Sequence, residues 1–157
     1  EIYKYFKIKL SFHKFFNTQN FACFYIGKKK GQIGIDEIIN KIPHKKIFFK
    51  IDIEGSEYEI LDQLIKSKSR VSGIAIEFHD CVKNIDLIND FIKKIDLPVV
   101  HIHANNYDPV SRVGIPKTLE ITLSYNPSII GKQIKLPHKF DMPNKYNKQE
   151  IKLEFSD

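Results

Sequence analysis

The chain has no tryptophan, one methionine, two cysteines and, among 25 basic residues, only two arginines, Arg70 and Arg112. Each scarcity excludes something. Cys23 and Cys81 offer neither a metal-ligand spacing nor a disulfide framework, a usage expected of a reducing cytoplasm. The formal charge of +6 would ordinarily raise nucleic acid as a partner. Base and phosphate recognition, however, leans on the guanidinium fork, and the lysines here are spread along the chain. No apolar run approaches the roughly 20 residues of a membrane-spanning helix, and the start carries no cleavable-signal pattern. Neither a nucleic-acid nor a membrane partner is therefore expected. Glu1 stands where an initiator methionine would, so the chain reads as a processed or partial product.

What is present is enough apolar material, 42% of 157 residues, for one domain with its own core. From about residue 35 the pattern alternates strand and helix. A short helix is predicted over Asp36–Ile42, stopped by Pro43, and a strand over Ile47–Ile53. A helix should follow, with Ser56 and Glu59 forming a capping box and Ile60, Leu61, Leu64 and Ile65 its apolar stripe. Ser67–Ser72 reads as a loop and Ile74–His79 as a second strand. Ile85, Ile88, Phe91, Ile92 and Ile95 mark one face of a longer helix ended by Pro98. Strands over Val99–Asn105 and Leu119–Tyr125 complete the set. Phe21–Ile26 is a further strand candidate, Lys28–Gly31 a turn within "GKKKGQIG", and Ile151–Phe155 a last strand after a tail holding Pro127, Pro137 and Pro143. Strand–helix–strand alternation implies parallel pairing through crossover helices, an α/β sheet whose site lies beyond the carboxyl ends of the strands. The chain divides into an irregular segment 1–32, an α/β core 33–125 and an extension 126–157, all one domain.

Alternation along each strand splits polar from apolar. Lys50, Asp52 and Glu54 oppose Ile47, Phe49, Ile51 and Ile53; Glu77 and His79 oppose Ile74, Ile76 and Phe78. His101, His103 and Asn105 oppose Val100, Ile102 and Ala104, and Glu120, Thr122 and Ser124 oppose Leu119, Ile121 and Leu123. One account is a merely wet face, which suits Glu120, Thr122 and Ser124 as solvent-facing positions. The other is a cleft at the strand ends lined by Asp52, Glu54, Glu77, His79 and His103. Of His101 and His103, one is expected to be a hydrogen-bonded structural histidine, and Lys50 a partner for a neighbouring carboxylate. Such carboxylates and imidazoles can take a proton from a hydroxyl nucleophile or hold a divalent cation. No HExxH spacing is present and "HIH" alone is weak, so no metal ligand is assigned. Gly55 either lets a ligand approach closely or simply turns strand into helix.

"KIDIEGSE" resembles the signature strand of the FkbM-type family of S-adenosylmethionine-dependent methyltransferases: lysine, apolar, aspartate, apolar, glutamate, glycine, small residue, glutamate, matched by Lys50 through Glu57. "GIAIEFHD" is similar to the family's next strand, matched by Glu77 and His79. "VVHIHANNY" with "LEITLSY" looks like a paired terminal strand set, matched by His103, Asn105 and Asn106, and "IGIDEII" resembles the preceding short helix. The resemblance spans roughly residues 33 to 125. It implies a Rossmann-like class I methyltransferase sheet in three αβα layers, here its second part, with an antiparallel strand pair near the C-terminus. It implies S-adenosylmethionine as cofactor and a hydroxyl on a sugar, polysaccharide or natural product as acceptor. Asp52, Glu54, His79 and His103 would be catalytic, with Asp52 first as base; Asp52, Gly55 and Glu77 would meet the donor. The family's glycine-rich donor loop and its acidic partner have no match in this sequence, so the chain alone is expected to be impaired, and an exposed sheet edge would favour self-association. Two rivals stand beside this reading: a non-catalytic binding module, and a metal-dependent hydrolase using Asp52, Glu54, Glu77 and His79.

Overall fold

The computed structural model describes residues 26, 30–43, 45–127 and 136–154. Phe21–Ile26 therefore lies outside the described residues except for Ile26, which forms an isolated parallel bridge to Ile33; Lys30 and Gly31 form part of the expected turn. The elements in chain order are α1 (Ile35–Asn40), β1 (Ile47–Ile51), a 3-10 turn (Glu57–Glu59), α2 (Leu61–Lys66), β2 (Val71–Phe78), α3 (Cys81–Ile95), β3 (Val99–Ala104) and β4 (Leu119–Ser124). None of the described helices is long and apolar enough to cross a membrane.

The sheet order is β1-β2-β4-β3. β1 and β2 pair in parallel, as the alternation of strand and helix predicts. β3 does not join β2 directly: β4 runs antiparallel between them and pairs with both. Ile51, Ile74, Ile76, Phe78, Ile121 and Leu123 form one buried face, packed against Ile35 and Ile39 of α1, Ile60, Leu61 and Leu64 around α2, and Ile88, Phe91 and Ile95 of α3. Burying a side chain of this size is worth roughly 1.5–3 kcal/mol each, so this face holds the layers together. Gly73 sits where β2 runs between its two neighbours. A Cβ there would lie 2.8 Å from the Phe48 ring and 2.9 Å from the Leu123 carbonyl oxygen, so only glycine fits.

Several local expectations are corrected. β1 ends at Ile51, so Asp52 and Glu54 belong to the turn beyond it rather than to the strand. The Ser56–Glu59 capping box does not form: Ser56 makes no side-chain cap bond, and the chain enters α2 through a 3-10 turn because Glu57 is drawn inward. Ser67–Ser72 is not a loop throughout. Lys68–Arg70 is a 3-10 turn and β2 already begins at Val71, opposite Ile47. The Arg70 guanidinium there bonds the carbonyls of Ile42 and Lys45, tying the approaches to both strands together. Residues 151–154 carry no strand. The segment 136–154 is instead tied by side chains to the polar face of the sheet: Asp141 meets His101, Asn144 meets Glu120 and Glu150 meets His103.

Candidate functional site

β1 and β2 are parallel neighbours, so the chain leaves both strands at the same edge of the sheet. After β1 it reverses in a tight turn closed by the Ser56 N–H on the Ile53 carbonyl at 3.2 Å. The two central residues, Glu54 and Gly55, have φ of 54° and 95°. Glycine adopts this region freely, whereas a side-chain-bearing residue such as Glu54 costs about 1–2 kcal/mol there. That strain is held by Glu57, whose side chain is fully buried. One of its carboxylate oxygens accepts the Gly55 N–H at 2.9 Å; the other accepts the His79 main-chain N–H at 2.7 Å and faces His79 Nδ1 at 3.1 Å. Tyr58 adds a second tie, its hydroxyl donating to the His79 carbonyl, and burial holds that hydroxyl's pKa well above its ordinary value.

This clasp sets the geometry of three side chains. A carboxylate only accepts, so Nδ1 of His79 carries the proton toward Glu57, and Nε2 is turned outward. Nε2 lies 3.4 Å from a Glu54 oxygen, and ligand atoms of Asp52, Glu54 and His79 all fall within 4.8 Å of one another. Asp52 and Glu54 are exposed, Glu54 at 85% of its side chain, while His79 is only 19% exposed. The outcome is an anionic mouth with one imidazole nitrogen at its wall.

A second polar group runs across the same sheet. Glu77 of β2, Glu120 of β4 and His103 of β3 are successive partners in register. Two carboxylates directly opposite one another repel, and each is relieved differently. Glu120 is held below the usual carboxylate range by its hydrogen bond to His103, helped by Asn144 and by the charges of His103 and Lys50. Glu77, buried, is pushed up by desolvation against the opposing hydrogen bond from Asn105 Nδ2 at 2.7 Å, with the charges of Asp52 and Glu120 adding to the rise. His103 faces Glu120 through Nδ1 at 3.6 Å and Glu150 through Nε2 at 3.3 Å. These partners, Glu120 foremost, outweigh desolvation and raise its pKa to about 9.

The model of the methyltransferase FkbM domain matches residues 15–107. The chain belongs to the FkbM methyltransferase family. No curated protein and no solved structure matched. The matched span of the FkbM domain contains β1, its turn, β2, α3 and β3, and ends before β4.

Within the FkbM domain the structure sorts the sequence-derived candidates into two places. Asp52, Glu54 and His79 come together, with Gly55 forming their turn. Glu77 lies between this group and the row on the sheet, close enough to Asp52, His79 and Glu120 to feel all three charges. His103 sits in the row, both ring nitrogens facing carboxylates beneath the 136–154 segment. His101 is likewise paired, with Asp141 at 2.9 Å, so both histidines of "HIH" are partnered rather than one. Glu120 is not the solvent-facing residue expected of it: His103 and Asn144 hold it half-buried. Glu57 was not singled out from the sequence. Its signal is its spacing, since it lies three, four and seven residues before Ile60, Leu61 and Leu64 and so shares their buried stripe. Asn106 was also missed as an anchor; it is buried and bonds Lys145 N and the carbonyls of Lys145 and Lys148. The Cys81 thiol, buried and pushed up to about 11 by desolvation, is no nucleophile.

Proposed function

We propose that the chain acts in S-adenosylmethionine-dependent methylation of a hydroxyl group on a sugar or natural-product acceptor. One observation carries this reading: in a chain of the FkbM family, two exposed carboxylates and a fixed imidazole stand together beyond the carboxyl ends of adjacent parallel strands. Ligands of open α/β sheets bind at that edge. The antiparallel β4 set between two strands of like direction supports a Rossmann-like methyltransferase sheet.

The residues present fit a cationic donor, because Asp52 and Glu54 place negative charge at an open mouth. When bound, the donor supplies a methyl group made electrophilic by its sulfonium. Asp52 is the acceptor-side base: it is exposed, has no hydrogen-bond partner among the described residues, and can take the hydroxyl proton. His79 Nε2 accepts from the same hydroxyl or relays its proton, in an orientation set by Glu57. Glu77 stands behind Asp52, its pKa raised by burial against the hydrogen bond from Asn105.

Calorimetric titration with S-adenosylhomocysteine tests the reading. Saturable binding, weakened by Asp52→Ala, is expected. A folded protein that gives no saturable heat and transfers no methyl group from the donor to hydroxyl acceptors would remove it.

A further inference from the structure

Two neighbouring carboxylates by themselves say little, since exposed acidic pairs are common. The third member decides the matter. The fully buried Glu57 takes the proton-bearing Nδ1 of His79, and the same oxygen takes the residue's main-chain N–H. In the neutral ring Nε2 therefore presents a lone pair, and it faces the Glu54 carboxylate at 3.4 Å with Asp52 beside it. Two carboxylates and that nitrogen, converging within 4.8 Å, repel one another unless a proton or a metal ion sits among them. No lysine or arginine among the described residues forms an ion pair with Asp52 or Glu54.

We propose that Asp52, Glu54 and His79 Nε2 form a binding site for a divalent cation, with Glu57 as the positioning residue behind the imidazole. Metal-bound histidines generally donate their other ring N–H to a carboxylate, which fixes the tautomer and raises the basicity of the ligating nitrogen. Glu57 and His79 have that arrangement. Two carboxylate oxygens with one imidazole nitrogen, open to solvent on the far side, suit an ion such as Mn2+ that keeps water or an alcohol in its remaining positions. In methyl transfer, a role that rests on the function proposed above, the cation would take the place of His79 Nε2 at the acceptor hydroxyl and lower its pKa, leaving the non-ligating oxygen of Asp52 to take the proton. Cation binding itself does not depend on that function.

Mn2+ provides the probe, followed by the loss of its free-ion paramagnetic resonance signal on titration into the whole chain. One saturable site is expected, with a nitrogen coupling from the imidazole in the pulsed spectrum. His79→Gln should remove that coupling, and Asp52→Asn should weaken binding at least tenfold, in the range of about 10- to 100-fold that loss of a supporting residue already costs. Asp90→Asn, on an exposed carboxylate paired with Lys94 on α3, should change nothing. Absence of saturable binding would overturn the site, as would binding without nitrogen coupling or binding indifferent to Asp52→Asn and His79→Gln in folded proteins. S-adenosylhomocysteine titrated without metal separates the two claims: donor binding without Mn2+ binding defeats the cation site alone, and Mn2+ binding without donor binding defeats the methyltransferase reading alone.

Discussion

Replacing Glu57 with glutamine exchanges one carboxylate oxygen for an NH2 group in a pocket that presents only N–H donors: those of Gly55, the His79 main chain and His79 Nδ1. The amide cannot satisfy all three. With its nitrogen toward Gly55, that N–H, on an exposed residue, faces another donor; with its nitrogen toward His79, the part-buried main-chain N–H is orphaned and the ring must shift its proton to Nε2. An unsatisfied buried N–H costs about 1–3 kcal/mol, and the surviving bonds fall from charge-assisted strength of about 1.5–3 to about 0.5–1.5 kcal/mol. The sum is a destabilisation of about 2–4 kcal/mol, concentrated at the turn that already carries the positive φ of Glu54. Urea unfolding followed by far-ultraviolet circular dichroism measures the loss, and nitrogen-detected NMR of the His79 ring reads the tautomer. A stability within about 0.5 kcal/mol of the parent, the spread of ordinary surface substitutions, together with unchanged ring nitrogen shifts would refute the claim that Glu57 organises the site.

His103 gives the chain a pH-dependent stability. Its folded pKa of about 9 stands above the ordinary 6.5, so the contribution is complete below about 6.5 and is lost as pH rises through about 9. Allowing for solvent around Glu120 and Glu150, the loss should be about 1–2 kcal/mol; urea midpoints across that window should fall in the parent and stay level in His103→Gln, and a level parent curve would disprove it. Gly73→Ala should destabilise by about 1–3 kcal/mol, the usual cost of overpacking, because the new methyl meets the Phe48 ring and the immovable Leu123 carbonyl. Thermal unfolding of the single variant checks it, and a neutral result would refute the clash by showing that both β1 and β4 give way around β2.

The strands were legible because each is a short β-rich run with strict alternation, and α3 because its apolar residues recur at helical spacing. The order of the sheet was not, since nothing local in Leu119–Ser124 tells it to enter between β2 and β3; that choice is made by pairing across the fold. Ser56 and Glu59 fit a capping box in spacing, but the buried Glu57 pulled the chain into a 3-10 turn and left that box unused. Glu120 read as solvent-facing because alternation distinguishes two faces without saying which one is later covered. What covers it is a segment whose anchoring residues lie 24 to 47 positions from their partners: Asn144 on Glu120, Asp141 on His101, Lys145 on Asn106, Glu150 on His103. Separations of that kind leave no periodic trace.

The two histidine environments explain why one end of this sheet is the better place for chemistry. His103 has carboxylates at both ring nitrogens and a segment of chain over it, so its charge is consumed in holding Glu120 ionised beside Glu77 and in anchoring Glu150. His79 has one nitrogen taken by a buried carboxylate and the other turned toward an open, anionic mouth. The first arrangement stabilises and has nothing left to offer a ligand. The second leaves an oriented nitrogen beside two carboxylates that, among the described residues, pair with no lysine or arginine, at the strand ends where an α/β sheet receives its ligands. The carboxylates of "KIDIEGSE" thus differ by one residue of spacing and a change of burial: Glu57 turns in to fix the Gly55 turn and the His79 ring, and Asp52 and Glu54 turn out to solvent.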